Sequence, residues 1–445
     1  MTTAARWHSF PQDGSLPGNP PAPAPRAAPW DLLLVCVAVY VAAAVGRIHE
    51  LFTVLMPLKP ALVATVLALG LYLLQQSGVR RMERLRSATT TCVLGLAVWG
   101  LLSVPGALAQ GMAFRAWTDF ARSIVMCLVV AASVRNARDV GRLMFVYFGV
   151  TVLYTAVVLS RFQLGAESWR LGRLYYYDAN DLATLIVTAM PLGLYFVLGR
   201  NRVWVRVFAA VGLAILAVGL IRSGSRGGFL ALLAVAAFVL LKVTTIPTRS
   251  RLAGLVVILT VLAATASDQY WAQMQTIVHP KQDYNMTSEE GRLKVWARGL
   301  DYMAGSPVFG VGVKNFPVAE GTISPLAKLA ERGIGVRWGA AHNSYVQVGA
   351  ELGIPGLLLF IGLMWSAFAS LRRVARQGGE DARLAQSLMA ALLGFVVGAF
   401  FLSLAYTDML YALVAMVIAM AKRTGGDPAP RRLRGRAPVW GGAPA

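Results

Sequence analysis

The sequence predicts an all-α polytopic membrane protein of about twelve transmembrane helices, with one large loop on the outer side between spans 9 and 10. Three observations carry this prediction. Of the 445 residues, 57% are hydrophobic and only 14% charged, and the mean hydropathy is +0.59, whereas soluble domains carry about 25% charged residues. Apolar runs recur along the chain, several approaching the roughly 20 residues that a straight span needs. The basic residues alternate, falling mainly in every second connection, as the positive-inside rule requires when both termini are cytoplasmic.

Taken in order, residues 1–29 are rich in Pro, Ala and Gly and include Pro17, Pro20, Pro21, Pro23, Pro25 and Pro29. Such a stretch cannot build a core, and we expect a disordered cytoplasmic tail rather than a cleaved signal. Spans 1–9 are expected within 30–266, at roughly 30–45, 60–74, 88–104, 117–134, 143–159, 182–198, 203–220, 227–241 and 252–266. A loop covers 267–341. Spans 10–12 follow within 342–421, at roughly 346–368, 384–404 and 409–420, and residues 422–445 form a basic cytoplasmic tail. The cytoplasmic connections carry Arg80, Arg81, Arg84 and Arg86, then Arg135, Arg138 and Arg142, then Arg200, Arg202 and Arg206, and later Arg372, Arg373, Arg376 and Arg383.

The formal net charge is +21, but it is scattered between apolar runs rather than gathered on a soluble face, so it reads as topology and not as nucleic-acid binding. Cys36, Cys92 and Cys127 lie in or beside apolar segments with no metal-ligand spacing, which disfavours a disulfide framework or a zinc site. No Walker A, HExxH or GxSxG sequence is present, which disfavours an ATP-driven pump or a nucleotide-sugar enzyme.

Arginines on the outer side are not needed for orientation, so Arg161, Arg170, Arg173, Arg222 and Arg226 require another account. Arg222-Ser223-Gly224-Ser225-Arg226-Gly227-Gly228 forms a tight corner at the start of span 8. Free helix N–H groups, Ser225 and Arg226 would face one anion there, with a diphosphate as a natural guest. The alternative is that Arg226 caps or snorkels while Gly227 and Gly228 serve close packing. In the loop, Thr287-Ser288-Glu289-Glu290 resembles a capping box. Leu293, Trp296, Leu300 and Met303 then repeat at helical spacing, predicting an amphipathic helix on the outer leaflet with Arg292 in its first turns. Asp178, Asn180 and Asp181 follow Tyr175, Tyr176 and Tyr177, and two readings fit: Asn180 or Asp181 as a helix N-cap with the tyrosines as an interfacial aromatic belt, or a sugar-binding platform.

The water–membrane boundary falls within 340–360, where His342-Asn343-Ser344-Tyr345 leads into hydrocarbon. With Asn343 as N-cap, His342 stands at the positive end of the helix, which disfavours imidazolium and keeps a base neutral. A polar residue at headgroup level is the other reading. Ser344, Gln347 and Glu351 form one polar stripe facing the bundle interior, while Glu351 is out of phase with His342 and is no dyad partner. Asp119 and Arg122 are expected to pair at i, i+3.

These motifs together are familiar. Ser225-Arg226-Gly227-Gly228-Phe229, the stretch from Arg292 to Gly312 with Trp296, Pro307 and Gly310, and His342-Asn343-Ser344-Tyr345 with Glu351-Leu-Gly353-Ile-Pro355-Gly356 resemble the O-antigen ligase and polymerase superfamily of bacterial membrane glycosyltransferases. Asp178-Ala179-Asn180-Asp181 also resembles a motif of that family. The resemblance implies a GT-C-like helical fold in the bacterial inner membrane with its active site facing the periplasm. It implies transfer of a glycan from undecaprenyl diphosphate to an acceptor hydroxyl, with inversion and with no cofactor. The acceptor is lipid A-core for a ligase and a lipid-linked repeat unit for a polymerase. By the same resemblance, Arg226 and Arg292 hold the diphosphate and His342 activates the acceptor. Arg222, Ser225, Asn343, Tyr345, Asp178, Asn180 and Trp296 are the expected substrate-binding residues. A non-enzymatic transporter or flippase of lipid-linked glycans is the competing class. It would want charges through mid-membrane helices and internal repeats.

Overall fold

The computed structural model describes residues 29–75, 77–161, 169–171, 177–279, 288, 291–330 and 336–424. Among them there are helices and no strand. Each segment predicted to span coincides with a helix: α1 Leu32–Gly46, α2 Pro60–Leu74, α3 Ala88–Leu102, α4 Gln110–Ser133, α5 Ala137–Arg161, α6 Ala179–Leu198, α7 Val203–Ser223, α8 Arg226–Lys242 and α9 Thr248–Thr265. The loop contributes α10 Asp268–Gln275, α11 Arg292–Gly305 and α12 Phe316–Thr322, and the chain continues through α13 Ser344–Ala375, α14 Gly379–Ala399 and α15 Asp408–Thr424.

Eight helical stretches among the described residues are long and apolar enough to cross a membrane by themselves, whereas α1 and α3 are apolar but shorter. At 15 residues these two reach about 22 Å against a hydrocarbon core of about 30 Å. Two helices mark the extremes of burial. Every residue of α15 from Met409 to Met420 is buried, so its all-round apolar sequence is a bundle core. No residue of α9 is buried, leaving Leu252, Val256, Val257 and Leu259 exposed.

Local sequence sets the helix starts. Asp31, Ser87, Ser225, Ser267 and Asn343 each accept a backbone N–H of the first turn, and Asp178 forms a capping box with Asp181. The predicted capping box at 287–290 lies outside the described residues apart from Ser288; α11 opens at Arg292 after Gly291, which makes no side-chain cap.

The stretch expected to run helically to 404 ends at Ala399 instead. Ser344 is the reason: its hydroxyl donates to the Leu402 carbonyl at 2.7 Å and accepts from Leu404 N–H at 2.8 Å. Those bonds hold residues 400–407 in a bend beside the start of α13. A second departure is the break in α13 at Gly353, where φ is 68° and ψ −171°. Pro355 cannot donate, and the freed carbonyls find new donors. Val311 N–H bonds Ala350 O at 2.8 Å, Gly312 N–H bonds Glu351 O at 3.0 Å, and Trp99 Nε1–H bonds Leu352 O at 3.0 Å. Ile354 N–H turns to Pro307 O at 2.8 Å. Residues 306–313 are thereby threaded onto the broken helix. A Cβ on Gly353 would lie 2.5 Å from the Pro307 and Val308 oxygens, so the glycine is obligatory there.

The loop packs inward through a face the periodicity did not predict. Leu293 and Leu300 are exposed, while Val295, Arg298, Gly299 and Tyr302 are buried. Arg298 Nε donates to both Glu320 oxygens, at 2.9 and 3.1 Å, and the Tyr302 hydroxyl donates to the same carboxylate at 2.7 Å. This buried pair fastens α11 to α12. Gly299 and Gly349 admit Val346 and Met303 at the crossing of α11 with α13. Asp119 and Arg122 pair at 3.0 Å as expected.

Candidate active site

Two helix N-termini meet at one cavity of about 360 Å³. Arg226 is the first residue of α8 and Arg292 the first of α11, so each guanidinium stands where the helix dipole is positive. Ser225, Gly224, Gly227, Asn180, Arg170, Gln273, Thr276, Phe401 and Leu402 complete the described lining.

The corner that presents Arg226 follows from its sequence. Gly224 takes a left-handed φ of 58° to end α7, and Ser225 Oγ then accepts Gly228 N–H at 3.1 Å to open α8. A Cβ on Gly228 would lie 2.6 Å from the Ala183 Cβ, and one on Gly227 3.0 Å from that of Phe401. The packing role considered for these glycines is therefore real, and it brings Arg226 against the 400–407 bend. The Arg226 guanidinium donates to Thr276 Oγ1 at 2.6 Å. Thr276 follows α10, a helix hidden inside what reads as featureless loop.

Arg170 is the residue that sequence reasoning left without a role. Its Nε donates to Ser223 O at 2.6 Å and its terminal nitrogen to Asn180 Oδ1 at 3.1 Å. It thus ties the α7–α8 corner to the first turn of α6 and adds a third guanidinium to the lining. Burial, with the Arg226 charge adding to it, pushes its pKa below the usual arginine range, while Asp178 opposes them. Its only signal in the sequence was that a topology argument could not explain it.

His342 is placed by three contacts around it. Its own N–H bonds Ser403 Oγ at 3.0 Å, the preceding Ala341 carbonyl accepts Trp296 Nε1–H at 3.0 Å, and Asn343 caps α13 by accepting Tyr345 and Val346 N–H. Its φ is 49°, a left-handed conformation that costs about 1–3 kcal/mol in a residue with a Cβ and that clusters at functional sites. Burial pushes the imidazole below the ordinary histidine value, Arg292 and Arg337 add to the push, and Asp178 opposes it. The ring is therefore held toward its neutral form, beside the charge of Arg292.

The remaining expected residues divide by role. Trp296, one turn along α11 from Arg292, pins Ala341 and stacks edge-on against Phe400 at 5.3 Å. Asn343 is 2% exposed and spent on capping. The Tyr345 hydroxyl donates to Val396 O at 3.1 Å. Asp178 caps α6. Arg222 lies in the last turn of α7 and is not in the described lining; its carbonyl accepts Leu171 N–H at 2.8 Å. Tyr177 is buried, donating to Val45 O at 2.8 Å; Tyr175, Tyr176 and Arg173 lie outside the described residues. Of the other outer arginines, Arg161 lies over the Phe52 ring at 4.2 Å. Ser344, Gln347 and Glu351 are buried as one stripe, with Glu351 accepting from Gln347 and from Phe316 N–H.

A cavity lined by guanidiniums at two helix starts, with an imidazole nearby that burial and then the Arg292 charge push toward its neutral form, has the parts of an anion-leaving group transfer. Residues 211–361 match the family model described as O-antigen ligase. The O-antigen ligase match runs from within α7 to within α13 and takes in Arg226, Arg292 and His342, together with the Gly353 break. Arg170 and Asn180 lie before it. The O-antigen ligase likeness supports glycosyltransfer of the ligase or polymerase kind, on lipid-linked glycans in a membrane setting. No curated protein matches the chain.

Proposed function

We propose that the chain transfers a glycan from undecaprenyl diphosphate to an acceptor hydroxyl, as an O-antigen ligase acting on lipid A-core at the periplasmic face of the inner membrane. The observation that carries this reading is the shared cavity of Arg170, Arg226 and Arg292, next to which Arg292 acts on His342.

In this reading His342 accepts the proton of the acceptor hydroxyl. The acceptor oxygen attacks the anomeric carbon, and the bond from that carbon to the phosphate oxygen breaks. The electron pair leaves with the polyprenyl diphosphate, whose new charge meets Arg226 and Arg292. Guanidinium suits this task because its planar fork can hold two phosphate oxygens where ammonium is a point charge. Direct displacement inverts the anomeric configuration, and His342 then releases its proton to water. General-base catalysis of this kind contributes about 100- to 10,000-fold.

The test is a deletion strain complemented with wild type, His342→Ala or Arg292→Ala, with surface glycan ladders and membrane insertion both read. Loss of ladders with normal insertion is expected; unchanged ladders in both variants would sink the proposal. Polymer accumulating on its lipid carrier identifies a ligase, and absence of polymer identifies a polymerase. Purified protein that moves lipid-linked glycan across vesicles without forming product would instead identify a transporter.

A further inference from the structure

We propose that Trp338 is the platform on which a pyranose ring of the acceptor glycan stacks while its neighbouring hydroxyl reaches His342. The acceptor then enters along residues 336–341 as the diphosphate occupies the arginine cavity. This rests on the transfer reaction proposed above and names the acceptor side of it.

Residues 336–341 carry no helix and run directly into His342. Their far end is fixed by the Trp296 bond to Ala341 O at 3.0 Å and the His342 N–H bond to Ser403 at 3.0 Å. Four Cα–Cα steps lead from Trp338 to His342 and can span at most about 14 Å, within the length of a short oligosaccharide. Neither Arg337 nor Trp338 lines the arginine cavity, yet the charge of Arg337 reaches His342. The segment therefore approaches the base without crossing the donor space.

The seat of the indole is specific. A Cβ on Gly321 of α12 would lie 2.0 Å from Cε2, 2.2 Å from Nε1 and 2.3 Å from Cδ2 of Trp338. The ring junction thus occupies the space that any side chain at position 321 would take. One part of the indole is backed by α12, while 52% of the residue remains exposed. A supported and half-exposed indole four positions before the base is suited to the C–H face of a sugar, since the ring face carries negative charge density toward those hydrogens. Trp204 and Trp365 are also exposed, but they lie on α7 and α13, far in sequence from the base and without a glycine seat.

The test uses the full chain in detergent or nanodiscs, with an O-antigen-free lipid A-core glycolipid as acceptor probe. At saturating donor, Trp338→Ala should raise the acceptor KM about tenfold, a size consistent with the loss of one aromatic stacking partner, and leave the donor KM unchanged. Trp338→Phe should recover most of the loss. Gly321→Ala, which displaces the ring, should reproduce the Trp338→Ala acceptor KM while unfolding at the wild-type temperature. An unchanged acceptor KM in Trp338→Ala, no recovery by Phe, or an equal rise in donor KM overturns the inference. A second arm measures binding of the same glycolipid to Arg292→Ala protein, with and without Trp338→Ala. Weaker binding in the double variant supports the platform even if the wild type proves to form no product; equal binding refutes it even if transfer is confirmed.

Discussion

Both ends of the helix bundle concentrate arginine, and they spend it differently. At the end where α1 and α5 begin, Arg80 and Arg135 converge on Asp31, Arg135 and Arg142 both hold Asp139, and Arg423 holds Asp381 at 2.9 Å. Lys422 extends the same network by donating to the Ala131, Ala132 and Val134 carbonyls that end α4. At the opposite end, Arg47 pairs with Glu50 and Arg298 with Glu320, whereas Arg170, Arg226 and Arg292 are brought together on one cavity, where Arg170 bonds Ser223 O and Asn180 Oδ1 and Arg226 bonds Thr276 Oγ1. Positive charge met by the protein's own anions holds helices together. Positive charge gathered from three elements onto one cavity focuses its field on whatever enters there.

The largest expected effect breaks this comparison if it is wrong. Arg292→Ala and Arg226→Ala should each lower turnover by about 100- to 1,000-fold, the loss seen when one preorganised charge-stabilising donor is removed. Lysine at either position should recover only part of it. Arg135→Ala, at the other end, should lower the unfolding temperature while leaving turnover per folded molecule within about twofold. Glycan transfer by purified variants, normalised to folded protein by gel filtration, reads both. Equal losses of turnover at the two ends would erase the distinction.

The next effect sharpens what a matched ion pair does when it is buried. Arg298 and Glu320 are 8% and 3% exposed, and Glu320→Ala removes the carboxylate that matches a buried guanidinium between α11 and α12. Such a loss costs about 3–5 kcal/mol, whereas replacing both partners by apolar residues is close to neutral. Glu320→Ala should therefore melt well below wild type, and Arg298→Met with Glu320→Leu should melt near it. A double variant as unstable as the single one would mean that the pair contributes more than neutralised charge. Smaller in effect, Gly353→Ala combines a left-handed φ of 68° with a Cβ clash on backbone. The conformation alone costs about 1–3 kcal/mol for a residue with a side chain, and release of 306–313 from α13 should appear as new protease cleavage in that stretch.

What the sequence made legible follows from the reach of each signal. Hydrocarbon length and capping chemistry are local, so the helical segments and the cap Asn343 could be read directly, while the cap of α6 fell on Asp178 rather than on the expected Asn180 or Asp181. Arg226, Arg292 and His342 were readable as motif residues, though only the fold places Arg226 and Arg292 on one cavity with His342 set by the Arg292 charge. Arg170, Gln273 and Thr276 were not, because their roles come from contacts across the fold, such as the bond from Arg226 to Thr276. The inward face of α11 was not legible for a related reason. A helix that buries an Arg–Glu–Tyr network presents polar letters inward, and periodicity of apolar letters then marks the outer side.

The smallest expected effect concerns protons. His342 lies below the ordinary histidine value because of burial and then Arg292, with Arg337 assisting and Asp178 opposing. A base must be neutral to act, so the rate should stay level as pH falls through about 6.5, the unperturbed value, and decline only below it. Arg337→Ala removes an acidifying charge and should move that decline upward, whereas Asp178→Asn removes the opposing one and should move it downward. The same linkage acts on stability: between the folded and unfolded values the unfolded chain binds more protons, so the contribution is complete above about 6.5 and is lost as pH falls through the folded value. Rate profiles for the three proteins from roughly pH 5 to 8 decide the matter. Opposite displacements of the two variants identify His342 as the titrating base, and three superimposable flat profiles would reduce it to a residue that only positions substrate.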